Sequence, residues 1–354
     1  MNSNITNESK RTNIANTTNT TKVEPKVAKP VKPDNTVFST VAVPSSEPIV
    51  IAVDHGYGNI KTPPFIFPAC VTPCDDGLNL STDGVLTYEG KHYSIGIGHK
   101  EFRQDKIMDE DYYILTLAAI GKELRRRSLT SAKIILATGL PLTWADRQRE
   151  QFKAYLSKNA HVDFSYQDVA FHVDIEEVFV FYQGVAAVAH RLGQFKGTNM
   201  LADIGNGTIN VLNINEKCLI PESCFTEKYG TYQCIIAVRE MLQREFSNLP
   251  TDTQIEKYLR FLHADIGPKY QEVIKATARR YVADIFRRLR EHGYDPDLMR
   301  LWVTGGGACL VKNFGEYPPD RVIILNDIHA NARGYENMAK AKLEARREKN
   351  EQEQ

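Results

Sequence analysis

Ile49-Val50-Ile51-Ala52-Val53-Asp54-His55-Gly56-Tyr57-Gly58-Asn59-Ile60-Lys61 joins a buried-strand run to an acidic, glycine-rich turn. A strand that ends in Asp and turns through glycines sets backbone N–H groups at its tip. Those donors can surround phosphate oxygens, because glycine permits close approach and unusual dihedrals. Lys61 adds a point cation at the end of the turn. The device returns once, as Met200-Leu201-Ala202 leading into Asp203-Ile204-Gly205-Asn206-Gly207-Thr208 and the strand Ile209–Ile214. Either hairpin alone reads equally well as a tight β-turn. Two in order, each after a buried strand, describe two similar domains facing each other across a cleft. Asp54 and Asp203 can then hold one Mg2+, an ion that takes few protein ligands and keeps several waters.

Two further features belong with the hairpins. Gly305-Gly306-Gly307 follows the short apolar run Leu301-Trp302-Val303. It lacks the Gly-x-Gly-x-x-Gly spacing of a dinucleotide fold and the Gly-Lys-Ser/Thr of a Walker loop. A bare triplet lets a flat ring lie against backbone, which suits a nucleoside face; on its own it also reads as a helix-entry turn. Gln183 stands where a strand gives way to a small-residue helix. It reads either as a helix cap or as an amide that orients a water for phosphoryl transfer, a reaction that depends mainly on positioning and charge stabilisation.

Outward from these stretches the periodicity predicts strands over 60–67, 85–97, 133–138, 169–182 and 322–325. It predicts helices over 112–127, 143–157 (capped by Thr143), 183–192, 231–246, 269–291 and 331–347. Strands mixed with helices imply α/β architecture. At 354 residues the chain holds two domains of ordinary size. Residues 1–47 are rich in Asn, Thr, Lys, Pro and Ser and are expected to form a disordered tail.

The 44 basic and 44 acidic residues balance, so charge gives no argument for nucleic acid or membrane as a direct partner. Arg125-Arg126-Arg127, Arg279-Arg280 and Arg287-Arg288 are expected as solvated helix faces, because no stacking aromatics accompany them. No apolar run approaches bilayer length, and no signal-peptide pattern opens the chain. Six scattered cysteines, with Cys70 and Cys74 the closest pair, offer no second pair at zinc spacing. A cytoplasmic location is expected.

The ordered set Asp54–Lys61, Gln183-Gly184, Asp203–Thr208, Thr304-Gly305-Gly306-Gly307 and Asn331-Ala332-Arg333-Gly334-Tyr335 resembles the five-motif pattern of the actin superfamily. In that pattern the five are phosphate-1, connect-1, phosphate-2, adenosine and connect-2. Within the superfamily the chain resembles the ParM/StbA plasmid-segregation actins. Phe67-Pro68-Ala69, Tyr112-Tyr113-Ile114-Leu115-Thr116-Leu117-Ala118-Ala119, Thr138-Gly139-Leu140-Pro141-Leu142 and Ala332-Arg333-Gly334-Tyr335 carry that likeness.

The resemblance implies an actin-like (ribonuclease H-like) α/β fold. Domain I would span 48–195, domain II 196–325, and 326–354 would be a C-terminal helix returning to domain I with a charged tail. It implies a bacterial ATPase whose nucleotide-dependent filaments separate plasmid copies through a small DNA-binding adaptor on a centromere-like site. By position, Asp54 and Asp203 would coordinate Mg2+ through water, Lys61 would contact the β-phosphate, and Gln183 would position the attacking water, with Asp203 beside it in catalysis. Gly56, Tyr57, Gly58 and Asn59, with Gly205, Asn206, Gly207 and Thr208, would line the phosphates of ATP or GTP. Gly305, Gly306 and Gly307 would line the nucleoside.

Two features depart from the family, the long polar N-terminal tail and one position in the second half. The family often has Asp seven residues after the second-hairpin Asp; this chain has Asn210, which cannot act as a general base. Two other readings remain open at this level: a monomeric sugar or acetate kinase, which needs a base outside the hairpins, and a non-polymerising scaffold with a membrane anchor. The charged terminal segment 340–354 speaks against the anchor.

Overall fold

The computed structural model describes residues 47–74, 84–97 and 110–353. The tail expected over 1–47 lies outside the described residues, apart from Glu47. The first half supplies strands β1 (Ile49–Ala52), β2 (Asp54–His55), β3 (Asn59–Lys61), β4 (Ile66–Pro68), β5 (Val71–Cys74), β6 (Val85–Tyr88) and β7 (Lys91–Ile95). Helix α1 (Asp111–Arg126), β8 (Ser131–Leu140), α2 (Leu142–Leu156), β9 (His161–Tyr166), β10 (Val169–Tyr182) and the one-turn α3 (Val185–Val188) complete it. The second half runs β11 (Thr198–Ile204), β12 (Ile209–Asn215), β13 (Cys218–Leu219), β14 (Phe225–Glu227), α4 (Thr231–Glu245), α5 (Asp252–Phe261) and α6 (Pro268–Glu291). It ends with β15 (Arg300–Thr304), α7 (Ala308–Phe314), β16 (Val322–Ile324) and α8 (Ala330–Gln352).

Each half is built on one large sheet. The first has the order β1-β8-β10-β9-β6-β7-β5, with β1, β8 and β10 parallel and the remainder antiparallel. The second places β11 between antiparallel β12 and parallel β15, with β16 outside β15. In both, a parallel strand, β1 at the edge of its sheet and β11 inside its own, leads to its acidic residue at its C-terminal end, where open α/β sheets form their ligand crevices. Strand β1 continues through Val53, whose N–H donates to Ala137 O, into the hairpin of β2, β3 and β4.

Two apolar cores lie under these sheets. One packs α1 against the first sheet through Tyr112, Tyr113, Leu117 and Ile120. The other packs α4, α6 and α7 on the second through Val238, Ile274, Ile285 and Val311. Helix α8 lies on the first sheet, where Tyr335 and Ala339 meet Val50, Ala52, Ile135 and Phe179. Its contact with α3 is closer still: a Cβ on Gly334 would stand 2.0 Å from the Ala186 carbonyl oxygen.

The structure revises several sequence-derived elements. The strand expected over 60–67 is two, because Pro63-Pro64 interrupts the ladder. The strand expected over 85–97 is the hairpin of β6 and β7, turning at Glu89 and Gly90, both with positive φ. Thr143 does not cap α2. The N-cap is Pro141, and the Thr143 hydroxyl instead meets the Thr226 hydroxyl at 2.8 Å. The helix expected over 183–192 is one α-turn followed by a 3-10 turn over Ala189–Gln194, since Gly184 at φ 78 starts it late.

Candidate functional site

The strand-to-hairpin turns place Asp54 and Asp203 at one cleft, lined by residues of both halves. Asp54, Gly56, Tyr57, Gly58, Asn59, Lys61, Gln183, Asp203, Gly205, Asn206, Thr208, Gly305 and Gly306 all line it. Gly207 and Gly307 do not. Gly307 serves packing instead: a Cβ there would lie 2.3 Å from the Ile204 side chain.

Asp54 is almost wholly buried and both its oxygens are engaged. Lys61 Nζ donates to Oδ2 at 2.8 Å, and Gln183 Nε2 donates to Oδ1 at 2.9 Å. Hairpin register brings Lys61 opposite Asp54, so the ion pair follows directly from the turn length. His55, fully buried beside it, anchors the hairpin to the core. Its Nε2 meets Thr116 Oγ1 at 2.7 Å and its Nδ1 meets Thr138 Oγ1 at 2.9 Å. Thr116 already donates to Tyr112 O, so Nε2 carries the proton and Nδ1 accepts from Thr138.

Asp203 sits on β11 opposite Asn210 of β12 and Thr304 of β15. Burial, joined by the Asp54 charge, pushes its pKa up to about 6, although an N–H from Asn331 at 2.9 Å and the Lys61 charge pull the other way. Gly305, at φ 85, gives this carboxylate room; a Cβ there would lie 2.4 Å from Oδ1. The Thr304 hydroxyl faces the same region without a hydrogen-bond partner. Behind the second hairpin, α4 begins: Thr231 N–H donates to Gly205 O and Tyr232 N–H to Asn206 O, fixing the turn to the helix.

Two buried carboxylates facing one cleft, with the Asp54 charge among the causes that raise the proton affinity of Asp203, fit a divalent cation. Among the described residues no group of three or more His, Cys, Asp or Glu is placed to hold a metal. An ion held here would take Asp54 and Asp203 with waters and phosphate oxygens, as Mg2+ does. Lys61 and the glycine turns fit a phosphate chain.

Sequence reasoning gave no role to several cleft residues, Asn331, Thr304, Arg260 and Asp327 among them. Asn331 is the most consequential, since its Oδ1 accepts from the Gly184 N–H at 2.9 Å while its Nδ2 holds Asp203. It opens the connect-2 stretch, which was the available signal. The basic stretches are largely committed within the chain. Arg126 and Arg127 reach buried Glu123, Arg287 reaches Asp284 and Glu291, and Arg288 reaches Glu227.

Comparison with known proteins agrees with this architecture. The model described as "Actin like proteins N terminal domain" matches residues 52–185. That described as "Archaeal actin homologue MreB-like, C-terminal" matches 201–315. The chain belongs to the actin-like superfamily. Among solved structures, an archaeal actin homologue aligns at TM-score 0.65 and 21% identity, covering 83% of this chain and 99% of that one. A 15-stranded ParM filament from Clostridium botulinum aligns at 0.64 and 19%, with 83% and 99% covered. ParM from Bacillus thuringiensis with AMPPNP aligns at 0.61 and 14%, with 84% and 99% covered. The fold is therefore actin-like, as the motif order implied. None of the curated proteins matches the chain. Among the described residues no helix is long and apolar enough to cross a membrane.

Proposed function

We propose that this chain is an ATPase of the ParM kind, which assembles with its own copies when nucleotide is bound and separates plasmid DNA through a small DNA-binding adaptor. The observation that carries the reading is the convergence of Asp54, Lys61 and Gln183 from one half with Asp203 and Asn331 on a single cleft. A bound Mg2+–ATP supplies the phosphoanhydride and the charge that offsets the two carboxylates. Lys61 exchanges its Asp54 partner for phosphate oxygen. Gln183, whose amide already reaches Asp54, orients the attacking water. Asn210 takes no proton; its Oδ1 accepts from the Thr226 hydroxyl at 3.0 Å and ties β12 to β14. GTP in place of ATP is compatible with the same contacts.

Support for self-assembly comes from the superfamily and from filament structures of the same fold. The kinase alternative needs a base outside the two hairpins. Among the described residues lining the cleft, Asp327 is the carboxylate available, and it is ill suited. Burial would raise its pKa, but Arg333 and the His329 N–H outweigh burial and hold it below the usual range.

Right-angle light scattering with Mg2+ and ATP, GTP or ADP in parallel tests the reading. Scattering that rises above a critical concentration with triphosphate is expected. A protein that stays monomeric at tens of micromolar, a rough working scale for assembly at about 7 kcal/mol per contact, counts against it and makes a kinase assay the next step. Asp203→Ala is expected to drop turnover to background with the fold intact; unchanged turnover would remove Asp203 from the site.

A further inference from the structure

Tyr335 is fully buried, and its hydroxyl has no hydrogen-bond partner. It lies about one turn beyond Asn331 on α8, with its ring stacked on Phe181 at 6.2 Å between centroids. Gly139 keeps the hydroxyl's place clear, since a Cβ at that glycine would lie 2.3 Å from the oxygen. Two stretches far apart in the chain thus combine to admit a hydroxyl that forms no full hydrogen bond and has the Gln183 amide beside it.

The ring lies among apolar side chains, but the field at its hydroxyl is not that of an apolar core alone. The charges of Asp54 and Asp203 reach the hydroxyl, and burial with those charges holds its pKa well above the ordinary value. The Gln183 amide is near enough to act in the opposite direction. Leaving such a hydroxyl without a full hydrogen bond carries a desolvation cost that a Phe ring would not. A group kept at that cost calls for a partner in another state of the protein.

Gln183 supplies the candidate. Its side-chain amide has two N–H groups and one carbonyl oxygen, and one N–H is already held by Asp54 Oδ1. With the second N–H unheld, the amide can turn over and present N–H where water-orienting oxygen is needed. With both held, only Oε1 remains to face the cleft that Gln183 lines.

We propose that Tyr335 is a positioning residue for nucleotide hydrolysis: in the loaded protein its hydroxyl accepts the second N–H of Gln183 and fixes the amide with Oε1 toward the attacking water. The inference rests on the ATPase reading and names a residue that acts through Gln183 without touching nucleotide.

Tyr335→Phe keeps the ring and removes only the oxygen. Its kcat for ATP is expected to fall about tenfold, as for other outer-shell partners, with the Kd for a fluorescent ATP analogue unchanged. In a Gln183→Ala background the same change is expected to cost nothing further, the mark of one shared interaction. Separately, the Gln183 side-chain amide protons are read by NMR with AMPPNP bound; one of them is expected to move on going from wild type to Tyr335→Phe. Full kcat in Tyr335→Phe, or an equal loss in the Gln183→Ala background, overturns the proposal. So do unchanged amide shifts. A wild type without ATP turnover overturns the ATPase reading instead, and the amide shifts then still decide the contact.

Discussion

Asp203 is a charge placed against stability. An Asp in the unfolded chain titrates near 3.8, whereas here burial foremost pushes it to about 6. The folded protein therefore binds the proton more tightly than the unfolded one. By linkage, the ligand-free protein loses stability as pH rises from about 4 through 6 and is level above that. Asp203→Asn removes the charge and can still accept from Asn331. At pH 7.5 with chelator present, it is expected to be more stable than wild type by on the order of 1–3 kcal/mol. The gap should close by about pH 4. Urea titrations at the two pH values measure it, and identical midpoints at pH 7.5 would contradict the burial argument. A stabilising substitution that also stops turnover is the behaviour of a site residue. Asp54, Lys61 and Asp203 were legible in the sequence because a hairpin is local: its spacing and glycines state where the carboxylate and ammonium must fall. Asn331 was not, because its two partners lie 128 and 147 residues away. Gly139 and Tyr335 were visible as pieces of two motifs, but their contact exists only once α8 lies on β8.

Helix α8 works through its first turn. Asn331 fastens the Gly184 N–H at the start of α3 to the carboxylate at the end of β11, so one side chain joins the elements that carry Gln183 and Asp203. Asn331→Ala leaves a buried N–H without an acceptor and a buried carboxylate without its donor. A loss of about 2–4 kcal/mol is expected from two such groups, read as a lower urea midpoint, and a loss under about 0.5 kcal/mol would show the bridge to be dispensable. Gly334→Ala attacks the same joint sterically, because the Ala186 carbonyl leaves no room for a methyl group. Its cost is expected at about 1–3 kcal/mol or more, as for other overpacked sites. At this scale the long, strongly periodic elements were readable, α6 and β10 among them. Helix α5 escaped because it is short: its ten residues carry a single buried apolar set, Ile255, Tyr258 and Leu259. Its start was nonetheless written in Thr251 and Gln254, whose side chains cap each other's backbone N–H groups. Thr143 misled for the converse reason: a good cap residue two positions past Pro141 was claimed by Thr226 across the chain.

Filament growth requires two different patches on one subunit, placed so that each copy receives the next. A heterologous contact of this kind does not close on itself and builds an open chain. Among the described residues of the second half, the most exposed large apolar side chains lie at two separated places. Phe261 is 70% exposed and Leu262 50%, just before α6, while Leu298 is 74% exposed, shortly after it. The 24 residues of α6 between them span about 36 Å. Leu262 also holds φ 56, a left-handed backbone that glycine or asparagine occupies at lower cost than leucine. Retaining a β-carbon and an apolar side chain there, against both solvent and strain, suits a contact surface better than a helix end. If subunits meet through these places, Phe261→Ser with Leu262→Asn raises the critical concentration for triphosphate-dependent scattering about tenfold or more, equivalent to about 1.4 kcal/mol per contact. Leu298→Ser acts alike from the other end. Both variants should melt at or above the wild-type temperature, since neither side chain supports the core. Turnover of isolated subunits should persist, because none of these residues lines the cleft. Wild-type scattering curves from both variants would place the subunit contact elsewhere. A loss from one variant alone would mean that the two patches do not face each other in the filament.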